Sequence, residues 1–164
     1  MPGLFIAMAG AAVIGYALFS PFRVVVGFTR GKPFPLTVRT VGKLQNGNRA
    51  WLSLTAATAF EAMREAARSS GLDLPIASAF RTWEEQAVLK AKKLLFGGYA
   101  VAAPGYSNHQ EGTTVDLDVG GKNWQNNRRY HWLRANAGSY GFVDDVFTPG
   151  HPSYEAHHWH YVMS

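Results

Sequence analysis

The residues best suited to do chemistry lie in the last third of the chain. All six histidines fall between His109 and His160, interspersed with the carboxylates of Glu111, Asp116, Asp118 and Glu155. A catalytic zinc site uses three ligands of the histidine or carboxylate type and leaves a fourth coordination position open. The chain has no cysteine, so any metal must be held by histidines and carboxylates rather than by thiolates. The cluster therefore predicts a metal-dependent enzyme.

Two segments contain most of this cluster. Residues 107–116 read SNHQEGTTVD, and residues 155–162 read EAHHWHYV. Gly112 allows the first segment to turn tightly, so that His109 before it and Asp116 on a strand after it can converge on one ion. The spacing SxHxxGxxxD, followed by ExxHW, resembles the peptidase family of the VanY-type vancomycin-resistance D,D-carboxypeptidases and several phage endolysins. That family belongs to a wider group with the lysostaphin-type enzymes and the hedgehog signalling domain.

The resemblance implies a function for each of four residues. It makes His109, Asp116 and His158 the ligands of a zinc ion, and it makes Glu155 the catalytic carboxylate. A carboxylate beside the metal can take a proton from the attacking water and pass it to the leaving amine, which are the two proton transfers that amide hydrolysis requires.

The second segment allows another choice of ligand. His157 stands where the family more often has tryptophan, and His160 stands where it more often has arginine. On a strand His158 and His160 face the same side, so His160 could be the ligand with His158 assisting. We favour His158, because Glu155 and the tryptophan of ExxHW fit only that register.

A third segment reads SAFRTWEEQ and resembles the family pattern S-x-[FY]-R-[ST]-x-x-x-Q. The resemblance implies that Arg81 interacts with substrate, because a guanidinium can hold a carboxylate or a polarised carbonyl with two hydrogen bonds. Ser107 and Gln86 are further substrate-binding candidates. The alternative for Arg81 is an ordinary surface ion pair with Glu84 or Glu85.

The elements that must hold these residues can be predicted from periodicity. Apolar residues at helical spacing predict a core helix, and the capping box of Thr82 and Glu85 predicts a second helix. WLRANAGSYGF resembles a structural stretch of the family, although the family's arginine after Gly-Phe is replaced by Val143-Asp144-Asp145. The predicted elements are a linker and a short strand or hairpin over 33–52, helices over 54–68, from 82 to about 96 and over 132–137, and strands over 74–80, 113–119, 142–147 and 157–162. With the resemblance, they imply an α+β fold: a small, mainly antiparallel sheet with helices on one side.

The N-terminal part of the chain is apolar and then basic. Residues 4–19 carry no charge, which predicts a weak membrane anchor or an atypical signal, and the alternative is a helix or strand pair buried in the fold. We expect residues 1–30 to form this segment and residues 31–164 to form the zinc peptidase domain. The first 60 residues contain no acidic residue, within a chain of 164 residues and net charge +5, and this imbalance favours anionic surfaces.

Several functions remain open at this point. The expected activity is removal of the terminal D-Ala from the peptidoglycan stem peptide by a monomeric D,D-carboxypeptidase in the cell envelope, the periplasm or the extracellular space. One alternative is an endopeptidase that cuts between L-Ala and D-Glu, and another is a zinc-binding module without activity. Nucleic acid is not an expected partner, because the basic half shows no known nucleic-acid-binding motif or aromatic platform.

Overall fold

A computed structural model describes residues 20–98, 100–144 and 147–162. It confirms the α+β class, with strands, α-helices and short 3-10 turns mixed along the chain. The strands are β1 Phe22–Thr29, β2 Lys32–Lys43, β3 Arg49–Ser53, β4 Ile76–Ser78, β5 Thr114–Leu117, β6 Phe142–Val143 and β7 His158–Tyr161. The α-helices are α1 Leu54–Ser69, α2 Trp83–Phe96 and α3 Arg128–Asn136, and 3-10 turns lie at Asn108–Glu111, Gly121–Asn126 and Ala137–Tyr140.

The strands form two antiparallel sheets. The first sheet has the order β1-β2-β3, and the second has the order β4-β5-β7-β6. The two sheets meet where Leu44, just after β2, bridges to Ile76 of β4. The second sheet places β5 beside β7, so the two segments that carry the predicted ligands become neighbours.

Helix α1 provides the centre of the core. Its residues Phe60, Met63 and Ala67 are fully buried, as their helical spacing predicted. The ring of Phe60 meets the edge of Phe142 on β6, with ring centroids 6.2 Å apart. Ser53 caps the helix by accepting a hydrogen bond from the Ala56 amide. Burial of this apolar face ties the helix to the second sheet, and the core thereby supports the back of β5 and β7.

The second helix begins with the predicted capping box. The Thr82 hydroxyl accepts from the Glu85 amide at 3.2 Å, and the Glu85 carboxylate accepts from the Thr82 amide at 2.8 Å. The helix ends at Gly97, whose positive φ of 75° suits a glycine. This fixed start leaves Arg81 at the corner between β4 and the helix.

Several predicted elements differ from those observed, among them the strand predicted over 74–80, which covers Ile76–Ser78. The linker predicted within residues 33–52 is wrong, because β2 spans 12 residues there and pairs with both of its neighbours. The strand predicted over 142–147 is shorter, since β6 covers Phe142–Val143. The third helix begins at Arg128 rather than Trp132, because Asn127 caps it by accepting from the Arg129 amide.

The predicted N-terminal segment is only partly described. Residues 4–19, on which the anchor or signal prediction depends, lie outside the described residues. Residues 22–29 form β1, and each residue of β1 pairs with a residue of β2. Within the described ranges, none of the helices has the length and apolar character needed to span a membrane.

Gly112 offers a test of how the fold holds the site. Its φ is +73°, and an added Cβ would lie 3.0 Å from Leu36 Cδ2 and 3.1 Å from the Ser53 amide nitrogen. We expect Gly112→Ala to cost about 1–2 kcal/mol for the left-handed backbone and about 1–3 kcal/mol more for the crowding. Urea denaturation of the variant and the parent protein measures this free energy of unfolding.

Gly71→Ala is the matched control for this substitution. Gly71 has a similar φ of +69°, but nothing lies within 4 Å of its added Cβ. The control should therefore lose only the backbone part of the stability. Equal losses in the two variants would contradict the close packing of Gly112 against β3.

Candidate metal centre and catalytic cleft

The structure brings His109, Asp116 and His158 together. His109 lies on the 3-10 turn Asn108–Glu111, Asp116 lies on β5, and His158 is the direct cross-strand partner of Asp116 on β7. One ligand atom from each residue lies within 4.8 Å of the other two. All three side chains are buried. Two imidazole nitrogens and one carboxylate oxygen are a donor set that suits a catalytic zinc ion.

The Asp116 carboxylate lies between the two imidazoles. Its Oδ2 is 3.3 Å from His109 Nε2, and its Oδ1 is 3.1 Å from His158 Nδ1. Burial by itself raises the pKa of Asp116, but the charges and hydrogen bonds of His109 and His158 outweigh that effect and hold the pKa well below its usual range. Asp116 is therefore an anionic group inside the protein, as a metal ligand must be.

A backbone carbonyl fixes the orientation of His109. Its Nδ1 donates a hydrogen bond to the carbonyl of Ala79 at 2.8 Å, because a carbonyl can only accept. Because Nδ1 carries this proton, Nε2, the nitrogen that faces Asp116, is the one whose lone pair becomes available to a metal when the ring is neutral. Metal-binding histidines are generally held in this way by a partner on the other ring nitrogen.

His158 has a partner that the sequence did not predict. The side-chain amide of Asn108 lies 3.1 Å from His158 Nε2. If Nδ1 of His158 binds a metal, Nε2 carries the proton and needs an acceptor, and the amide oxygen of Asn108 supplies one after a half-turn of the amide group. The contact joins residues 50 positions apart, so no local pattern could have indicated it.

Glu155 lies beside the metal group, three residues before the first residue of β7. Its Oε2 is 3.8 Å from His158 Nδ1 and 4.0 Å from His157 Nε2. The Glu155 backbone carbonyl accepts from the His158 amide at 2.9 Å, which fixes the turn between them. The carboxylate lines the same cleft as the three donors, so it can reach a water or a substrate amide bound there.

Arg81 is held by polar side chains of its own segment. Nη1 donates to Gln86 Oε1 at 2.7 Å, and Nη2 donates to Ser78 Oγ at 3.0 Å. Burial lowers the pKa of the guanidinium, and the negative charge of Asp116 acts in the opposite direction. Among the described residues it forms no ion pair with Glu84 or Glu85, so the predicted alternative of a surface ion pair is not what the structure has.

Gln86 and Ser107 have different places in the site. Gln86 is fully buried, accepts from Arg81 and donates to the Ala102 carbonyl at 2.9 Å, so its amide is occupied in positioning Arg81. Ser107 is buried at the start of the 3-10 turn and lines the cleft.

The cleft has a volume of about 840 Å³, which is the size of a site for a short peptide. Arg81, Glu155 and the metal group line it. Apolar and basic side chains belong to the same lining. These further residues are Leu89, Phe96, Val101 and Phe147, with Arg30, Lys92 and Lys93.

Asp118 and the other described histidines do not belong to the group of three donors. His160 and His157 line the cleft but do not belong to the group of three close donors. Asp118 accepts hydrogen bonds from Gln45 and Gly120 and lies away from the three donors. His151 stacks on Phe147, with ring centroids 4.2 Å apart. The geometry thus favours His158 over His160 as the third ligand.

A second network that the sequence did not reveal holds the segment before Glu155. The Tyr154 hydroxyl donates to Asp144 at 2.5 Å, and Asp144 also accepts from Arg134 at 2.5 and 2.7 Å. Burial and the hydrogen bonds to Asp144 and Tyr130 raise the pKa of Tyr154, so its hydroxyl stays protonated. Asp144 is one of the residues that replace the family's arginine, and here it connects α3 to the residue next to Glu155.

The choice between His158 and His160 can be tested by metal binding. We expect His158→Ala to weaken Zn²⁺ binding by more than about 100-fold, because it removes one of three donors, whereas loss of an outer partner costs about 10–100-fold. His160→Ala should retain the parent affinity to within about tenfold. Competition with a chromophoric chelator measures both. A larger loss from His160→Ala than from His158→Ala would show that the other register is correct.

Comparison with known proteins places this geometry in a family. The family described as VanY, D-alanyl-D-alanine carboxypeptidase, matches residues 49–164. A D-alanyl-D-alanine carboxypeptidase of Enterococcus faecalis is 30% identical over 115 residues, which are 62% of this chain and 42% of that protein. The chain spans about four-tenths of the length of the curated relatives it matches.

Solved structures show the same fold. VanYB in complex with D-alanine-D-alanine superposes with a TM-score of 0.63 at 27% identity, over 83% of this chain and 84% of that one. A Zn(II) complex of a variant of the vancomycin resistance D,D-pentapeptidase VanY has a TM-score of 0.59 at 26% identity, over 83% and 86% of the two chains. The LdcB LD-carboxypeptidase has a TM-score of 0.61 at 25% identity, over 87% and 68%.

The match over residues 49–164 covers well over half of the chain, and it includes His109, Asp116, Glu155 and His158. The protein therefore belongs to the VanY family of D-alanyl-D-alanine carboxypeptidases.

Proposed function

We propose that this protein is a zinc-dependent carboxypeptidase that removes the terminal D-Ala from the stem peptide of peptidoglycan. The observation that carries the proposal is that one cleft contains a donor group of two histidines and a carboxylate, a second free carboxylate and a positioned guanidinium. These are the parts needed to bind a peptide C-terminus and hydrolyse the amide before it. The D-Ala-D-Ala complex of VanYB supports the choice of substrate.

His109, Asp116 and His158 would hold the zinc ion. The ring of His109 is already turned with Nε2 toward Asp116, and the Zn(II) complex of a VanY relative supports this choice of metal. When bound, zinc supplies a Lewis acid that polarises the scissile carbonyl and lowers the pKa of a water molecule toward about 7. The Asp116 carboxylate, kept anionic between two imidazoles, would favour a cation at this position.

Glu155 would move the protons. Its carboxylate accepts the proton of the water that attacks the scissile carbonyl carbon, and the new C–O bond forms as that proton leaves. The C–N bond then breaks, and Glu155 returns the proton to the amine of the departing D-Ala. The turn that joins the Glu155 carbonyl to the His158 amide keeps this carboxylate beside the reacting atoms.

Arg81 would bind the C-terminal carboxylate of the substrate. Hydrogen bonds to Gln86 and Ser78 hold its guanidinium plane, so little side-chain freedom is lost on binding. A bidentate contact with a terminal carboxylate would align the last amide bond with the metal group. An endopeptidase would have no free carboxylate at this point, and the position of Arg81 therefore favours the carboxypeptidase activity.

Two further proposals concern the location and the oligomeric state of the protein. We propose a location in the cell envelope, where stem peptides occur, and a monomeric enzyme. The anchor or signal predicted for residues 4–19 would be consistent with that location.

Product analysis distinguishes the related activities. The zinc-loaded protein is incubated with stem pentapeptide, stem tetrapeptide and intact peptidoglycan, and the products are identified by mass spectrometry. Loss of one D-Ala from the pentapeptide is the expected result. Loss of D-Ala from the tetrapeptide alone would indicate an LD-carboxypeptidase, the activity named for LdcB, and L-Ala-terminated fragments would indicate the endopeptidase.

Removal of the Glu155 carboxylate tests the catalytic assignment. We expect Glu155→Gln to lower kcat by roughly 10²–10⁴-fold, which is the usual contribution of a general acid–base group, while Zn²⁺ affinity stays near the parent value. Glu65→Gln, at an exposed acid on α1, is the control and should leave kcat unchanged. A Glu155→Gln protein with parent kcat would leave a zinc-binding module or another catalytic group as the explanation.

The task of Arg81 can be tested with two substrates. We expect Arg81→Lys to raise KM by about tenfold for a peptide with a free C-terminal carboxylate. Lysine keeps the positive charge but cannot make the bidentate hydrogen-bonded contact. The same peptide with a C-terminal carboxamide is the control and should respond little to the substitution. Equal effects on both peptides would mean that Arg81 does not bind the terminal carboxylate.

A further inference from the structure

Arg30 lies at the tip of the β1–β2 hairpin and lines the catalytic cleft. Thr29 and Lys32 are the last paired residues, so Arg30 and Gly31 form a two-residue turn. Both turn residues have positive φ, 49° for Arg30 and 79° for Gly31. Asparagine or glycine is the usual first residue of such a turn, and an arginine is disfavoured there. The matched family region begins at residue 49, so the hairpin lies outside it.

The hairpin tip is attached to the segment that carries the site. The Gly31 amide donates to the Gly105 carbonyl at 2.8 Å. The Thr29 hydroxyl donates to Glu111 Oε1 at 2.5 Å, and Glu111 belongs to the same 3-10 turn as His109. These two bonds lie on either side of Arg30. The position of its backbone is therefore fixed relative to the metal group.

The packing at Gly31 makes the attachment close. A Cβ added at Gly31 would lie 2.8 Å from the Tyr106 hydroxyl, and a Cβ added at Gly105 would lie 3.1 Å from the Gly31 Cα. Backbone approaches backbone here, which only glycines permit. The hairpin tip thus forms a part of the cleft wall.

The guanidinium of Arg30 is available for a ligand. Arg30 is exposed, and in the part of the chain that the structure describes it has no hydrogen-bond or ion-pair partner. The nearby acid Glu111 is already bonded to Thr29. Lys92 and Lys93 line the same cleft and add two further positive charges to its lining.

We propose that Arg30 binds a second carboxylate of the peptide substrate, one that lies on the N-terminal side of the scissile bond. The inference rests on the proposed function, in which Arg81 takes the terminal carboxylate. The stem peptide contains a glutamate residue whose free carboxylate can be present or blocked as an amide. Arg30 would then make the protein select the acidic form of the stem peptide.

The test measures peptide binding to a variant that lacks the catalytic carboxylate, so that the peptides are not cleaved during the titration. The zinc-loaded Glu155→Gln protein is titrated with two stem pentapeptides that differ only in a free carboxylate or a carboxamide at the glutamate residue. We expect the carboxylate peptide to bind about tenfold more tightly, because one charge-assisted hydrogen-bonded contact is added. Arg30→Asn in the same background should remove this preference and leave the affinity for the carboxamide peptide unchanged.

Two controls make the result specific to Arg30. Asparagine is favoured in this turn, so Arg30→Asn keeps the hairpin while removing the guanidinium. Arg128→Gln removes one positive charge from an exposed position that does not line the cleft, and it should leave the preference intact.

The outcomes separate this inference from the proposed function. An unchanged preference in Arg30→Asn, or no preference in the parent, would overturn the assignment of Arg30, and so would failure of both peptides to bind. Cleavage by the protein with Glu155 in place tests the proposed function independently. A protein that discriminates between the peptides through Arg30 but cleaves neither would retain the binding site and lose the proposed activity.

Discussion

A buried carboxylate that must remain charged is the constraint on which the site depends. Asp116 is among the least exposed acids of the described chain, and an isolated carboxylate in such a place would be costly. Two imidazoles, one beside each oxygen of the carboxylate, compensate for the lost water. Each imidazole is in turn held from its far side, His109 by the Ala79 carbonyl and His158 by Asn108.

The surrounding elements can be understood from this constraint. The β5–β7 pairing sets Asp116 opposite His158, and Gly112 allows the chain to turn back so that His109 reaches the same point. The core formed around α1 supports the strands from behind, and the capping box holds the start of α2 so that Arg81 stands at the cleft. Hydrogen bonds between Tyr154, Asp144 and Arg134 secure the approach to Glu155. Every group needed for chemistry is thus supported by a regular element.

Local signals in the sequence predicted much of this arrangement. The capping box and the apolar spacing of α1 are confirmed, because they depend on neighbours within a few residues. The α+β class, which the family resemblance implied, is confirmed as well. The contact between Asn108 and His158, the network at Asp144 and the placement of Arg30 could not be predicted, since each joins residues far apart in the chain. The length of β2 was missed because its prolines and glycine suggested a linker, whereas pairing on both sides stabilises the strand.

The register of β5 against β7 has a consequence for how this chain can vary in evolution. Side chains alternate between the two faces of a strand, so a single inserted or deleted residue within β5 would turn Asp116 to the opposite face of the sheet. The loops between the elements of the connection from Leu117 to Glu155 are under no such restriction, because additional loop residues there leave the strand pairing and the turn from Glu155 to His158 unchanged. Length differences among relatives should therefore gather in that connection, and the two short strands should keep a constant number of residues.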